Sequence, residues 1–123
     1  MFAGSKGTIL LFCSDPDVLA VLQGALEGDG YVVLTATDLG TAVRRLEEDK
    51  SDLLIVRPYL EDISGHEAAL YLRTKSYGLP VLMVAGMPDD DRILDREAVS
   101  DVEIFPRPFA LAEFLRKVST MLP

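Results

Sequence analysis

The sequence is short of several things, and each shortage narrows its chemistry. A single cysteine, Cys13, excludes an intrachain disulfide and fits a reducing compartment such as the cytoplasm. No stretch approaches the roughly 20 consecutive apolar residues of a membrane span. Basic residues are scarce, 12 against 20 acidic ones for a formal charge of −8, which argues against direct nucleic-acid binding by this domain. There is no Ser-His-Asp or Cys-His arrangement, no zinc-ligand spacing and no phosphate-cradling glycine loop. Gly4-Ser-Lys-Gly7 precedes the first strand instead of following it, as a phosphate loop would. These absences leave no support for catalysis, a cofactor or a metal.

What is present is an apolar core in 123 residues, enough for one domain that buries about two-thirds of its unfolded surface. Five strand candidates alternate with five helical patterns: Thr8–Cys13, Tyr31–Ala36, Asp52–Arg57, Pro80–Ala85 and Val102–Phe105 are the strands. Residues 1–7 read as a loose tail. Asp15 and Pro16 open the first helix as N-cap and first helical residue, and Gly28-Asp-Gly30 closes it. Thr37 or Asp38 caps the second helix, and the third runs from Gly65 to about Lys75. The acidic triplet Asp89–Asp91 starts a fourth helix reaching Val99, and a last helix over Leu111–Leu122 buries Leu111, Phe114, Leu115, Val118 and Leu122. Strict strand-helix alternation predicts an α/β parallel sheet with helices on both faces.

Asp52-Leu-Leu-Ile-Val-Arg57 carries the most information. Four apolar residues in a row suit a strand covered on both faces. Ligand crevices in open α/β sheets lie beyond the carboxyl ends of strands, so position 57 faces the place of chemistry. An arginine there is neither a nucleophile nor a group that loses its proton.

Ile9-Leu-Leu-Phe-Cys-Ser-Asp-Pro16, Asp52-Leu-Leu-Ile-Val-Arg-Pro58, Pro80-Val-Leu-Met-Val-Ala85 and Phe105-Pro-Arg-Pro-Phe109 together resemble the receiver domain of bacterial two-component response regulators. The resemblance runs from about residue 8 to 121. It implies a flavodoxin-like, doubly wound, five-stranded parallel sheet of order 2-1-3-4-5, a (βα)5 fold. It also implies a degenerate pocket. The acidic pair that holds a receiver's metal falls on Cys13 and Ser14, with Asp15 beside them; the phosphoacceptor falls on Arg57, the hydroxyl on Ala85 and the lysine on Arg107. The expectation is a pseudo-receiver in a two-component or phosphorelay system that is not phosphorylated and acts by protein interaction. By the same resemblance Arg107–Pro108 is a cis peptide, and Ile104 stands where many receivers carry a mobile aromatic ring.

Two readings of Arg57 and Arg107 stay open. Two forked cations could clasp a phosphate or carboxylate, making the domain an anion sensor. Alternatively each pairs with Asp15, Glu61, Asp62 or Asp90 in a salt-bridged plug, the commoner reason for charges in a cleft. The resemblance places the partner surface on the fourth helix, fifth strand and last helix. It includes Arg92, Arg96, Glu103, Ile104, Glu113, Arg116 and Lys117, for a protein partner or a homodimer. His66 reads as a solvated residue at a helix start, and Asp89–Asp91 lacks the spaced oxygens of a calcium loop.

Overall fold

A computed structural model describes residues 6–57, 63–76, 78–84, 102–105 and 111–122, with backbone only at 66 and 102–105. The chain runs β1 (Thr8–Phe12), α1 (Pro16–Gly28), β2 (Val32–Ala36), α2 (Leu39–Glu48), β3 (Leu53–Val56), α3 (Gly65–Lys75), β4 (Val81–Val84), β5 (Val102–Phe105) and α4 (Leu111–Met121). All pairings are parallel, in the order β2-β1-β3-β4-β5 that the resemblance implies. Four helices, not five, stand among the described residues. The helix expected over Asp89–Val99 lies outside them, as do Ala85, Arg92, Arg96, Arg107 and Pro108.

The central strands are buried on both faces because their alternate side chains enter two separate cores. Leu10, Phe12, Leu54, Val56, Val81 and Met83 meet Ala42 of α2 and Ala68, Ala69 and Leu72 of α3. Ile9, Leu11, Leu53, Ile55, Leu82 and Val84 meet Leu22 and Leu26 of α1 and Phe114 and Val118 of α4. Leu111 departs from its expected burial and is 44% exposed, since the packed face of α4 begins a turn later, at Phe114.

Local chemistry sets the helix ends. Asp15 Oδ1 accepts from the N–H groups of Asp17 and Val18 at 2.9 and 3.4 Å, with Pro16 in the first turn. Asp38, rather than Thr37, caps α2, accepting from Thr41 N–H at 2.7 Å. Ser64 accepts from Glu67 N–H at 3.1 Å to cap α3, a Ser-x-x-Glu start. At the end of α1 the chain turns back through Gly30 at φ 100°. Tyr31 N–H reaches Leu26 O, and Gly30 N–H reaches Glu27 O, which satisfies carbonyls the helix leaves open.

Lys6 and Gly7, the end of the segment expected to be a loose tail, are held in place. Lys6 N–H donates to Gly30 O at 3.0 Å, its ammonium pairs with Asp29 at 3.5 Å, and Gly7 O accepts from Val32 N–H. Strands β1 and β3 each stop one residue short of the span read from sequence. Their mutual ladder ends at Phe12 opposite Val56, leaving Cys13 and Arg57 just past the paired region.

Candidate functional site

The strand order reverses direction between β1 and β3, which makes the space beyond their carboxyl ends the crevice of this fold. Cys13, Ser14, Asp15 and Arg57 all leave the sheet there. The structure therefore brings together four of the six residues expected in the pocket. Ala85 and Arg107 lie outside the described residues.

Each of the four has a defined state. Cys13 is fully buried, and its thiol donates to the Asp15 carbonyl at 3.4 Å. Burial pushes the thiol above its ordinary pKa, a rise opposed by the polar contact with the Asp15 backbone and by the positive charge of Arg57. Ser14 Oγ donates to Thr37 O at 3.3 Å and so ties the end of β1 to the end of β2. Thr37 was no candidate from sequence, because a backbone carbonyl has no residue-type signature. The exposed Asp15 carboxylate accepts from the first turn of α1.

Arg57 is partly buried and its charge acts on the Cys13 thiol, yet its Nε is buried with no hydrogen-bond partner among the described residues. The salt-bridged plug is not made with Asp15, whose carboxylate is engaged in capping. Among the described residues the ion pair recorded is Lys6–Asp29. Glu61, Asp62 and Asp90, the other expected partners, lie outside them.

A family model of the response regulator receiver domain matches residues 9–119. The chain belongs to that family. Receiver domains are signalling modules that interact with partner proteins, and this one is a signalling module rather than an enzyme. The alkaline phosphatase synthesis transcriptional regulatory protein PhoP of Bacillus subtilis is 30% identical over 115 residues, 93% of this chain and 48% of that protein. The transcriptional regulatory protein PrrA of Mycobacterium leprae is 30% identical over 119 residues, 96% of this chain and 51% of that one. The receiver thus spans about half the length of the curated relatives it matches.

Solved structures agree on the fold. The Thermotoga maritima response regulator TrrA, in complex with Mg(2+)-BeF, superposes with a TM-score of 0.80 at 24% identity, covering 94% of this chain and 99% of that one. A two-component response regulator from Clostridium difficile gives 0.82 at 23% identity, covering 94% of each chain. No helix among the described residues is long and apolar enough to cross a membrane.

Magnesium wants hard oxygen ligands in octahedral array, usually one or two carboxylates with waters. The residues here do not fit it. Cys13 offers a protonated, soft sulfur, the Ser14 hydroxyl is given to Thr37, and Arg57 adds a fixed cation. Among the described residues, no three His, Cys, Asp or Glu side chains are grouped to hold a metal ion.

Proposed function

We propose that this receiver domain works without being phosphorylated, as a protein-interaction module of a two-component or phosphorelay system in the cytoplasm. One observation carries the reading: Arg57 stands directly after β3 and acts on the thiol that stands directly after β1. Where the family resemblance expects a nucleophilic carboxylate beside a metal-binding pair, this pocket holds a cation beside a neutral thiol. A guanidinium cannot accept a phosphoryl group, and it repels the divalent cation that would assist the transfer.

The proposed partner surface joins α4 to β5, which forms one edge of the sheet. Glu113 and Arg116 are exposed on α4 and Lys117 is half-buried beside them, around a shallow groove shared with Thr120. Glu103 and Ile104 lie on β5, and Arg92 and Arg96 complete the proposal from outside the described residues. Mixed charge suits a second copy or a transient protein partner, and the acidic balance of the domain disfavours nucleic acid.

The test is intact mass after treatment with a small phosphodonor and magnesium. The expected result is no added mass. A single phosphoryl group, mapped to any aspartate, would end the reading. A second reading, an anion sensor using Arg57 and Arg107, draws support from the buried Arg57 Nε, which has no hydrogen-bond partner among the described residues.

A further inference from the structure

The two edges of the sheet carry different protection. Strand β5, Val-Glu-Ile-Phe, contains a charged residue of its own in Glu103. Strand β2 is the other edge, and the segment Tyr31-Val-Val-Leu-Thr-Ala36 has no charge, no proline and no glycine. Such a hexapeptide at an open edge is the composition that pairs with copies of itself.

The register shows which groups are offered. Val32 N–H donates to Gly7 O and Ala36 O accepts from Cys13 N–H, so Val32, Leu34 and Ala36 turn their backbone groups to β1. By the alternation of a parallel ladder, Val33 and Thr35 turn theirs outward. Arg45, in the last turn of α2, donates its Nε to the Thr35 carbonyl at 3.3 Å. A cation from the neighbouring helix thereby caps the edge that the strand's own residues leave bare.

We propose that Arg45 is an edge guard, holding β2 shut against strand addition by the β2 of a second copy. The occupant follows from symmetry: two such edges pair antiparallel about a two-fold axis, and each supplies the same uncharged segment. Pairing needs the Thr35 carbonyl, so it needs Arg45 displaced. The guard lies on the far side of the sheet order from β5 and is independent of the α4–β5 partner surface.

The experiment is sedimentation velocity over a range of concentrations, with hydrogen exchange read at the amides of Val33 and Thr35. Arg45→Ala should self-associate about ten- to a hundredfold more strongly than the parent, the worth of two net hydrogen bonds, one from each copy, with both amides gaining protection. Arg45→Lys, which keeps the charge but loses the planar fork, should fall between. Adding Val32→Lys to Arg45→Ala places a charge on the segment at a 40% exposed position and should return the protein to the parent's behaviour. Unchanged association in Arg45→Ala would overturn the proposal. So would association that Val32→Lys does not relieve, or that leaves the two amides unprotected. A melting curve for each variant separates edge pairing from unfolding. If Arg45→Ala does not fold, the comparison of Arg45→Lys with the parent decides.

Discussion

Cys13 and Arg57 follow neighbouring strands in register, so a change at one is felt at the other. Burial raises the pKa of a thiol that is already neutral at neutral pH, and the guanidinium is charged because nothing in the normal pH range removes its proton. If the rest of the scaffold is that of a metal-binding receiver, three exchanges should restore the missing ligand set. Cys13→Asp, Ser14→Asp and Arg57→Asp together are expected to bind magnesium. At about a hundred times its Kd the ion should then add about 2.7 kcal/mol of stability, checked by unfolding with and without magnesium. No magnesium response would mean that these positions do not converge as the alignment requires. Cys13 itself should resist thiol reagents in the native protein and react on unfolding. Thiol titration with and without denaturant measures this; rapid native labelling would contradict the burial.

Elements in this fold are bounded by chemistry that is mostly local. Gly30 ends α1 at φ 100°, where a Cβ is strained whatever the space around it. Gly30→Ala should therefore cost about 1–2 kcal/mol, read from urea denaturation. At α2, the Thr41 backbone N–H holds the Asp38 carboxyl below its ordinary value. A depressed folded-state pKa gives stability that is present above the unfolded value and lost as pH falls through the folded one. Asp38→Asn still caps but does not titrate. Its stability relative to the parent should rise as pH drops below about 4, and parallel pH profiles of the two proteins would show this. Both devices were legible beforehand, because Gly-Asp-Gly and Thr-Asp before an apolar stripe are signals in the chain itself. Ser64 carries the same kind of local signal, with Glu67 three residues on. The exposure of Leu111 departs from the sequence expectation for a different reason. Helical periodicity assigns a face but not the turn at which that face meets the sheet.

For the whole molecule, the parallel sheet places every strand's carboxyl end at one edge, and the pocket character follows from what gathers there. If Arg57 serves a plug or an interaction surface, inorganic phosphate at millimolar level should leave the melting temperature where chloride of equal ionic strength leaves it. A specific rise would favour the anion sensor. The acidic surface, −8 overall, weighs on the same outcome by disfavouring anions generally.

Sequence alone determined the class of fold, the alternation of elements and the identity of the residues after β1 and β3. Those depend on apolar period, turn residues and chain order, all of which are local. The tertiary structure decided the rest. It gave the Ser14 hydroxyl to the carbonyl of Thr37 and left the Arg57 Nε buried with no hydrogen-bond partner among the described residues. It also brought Arg45 across to the edge carbonyl of Thr35. Each of these is a contact set by how far one element sits from another, and residue type does not encode that distance.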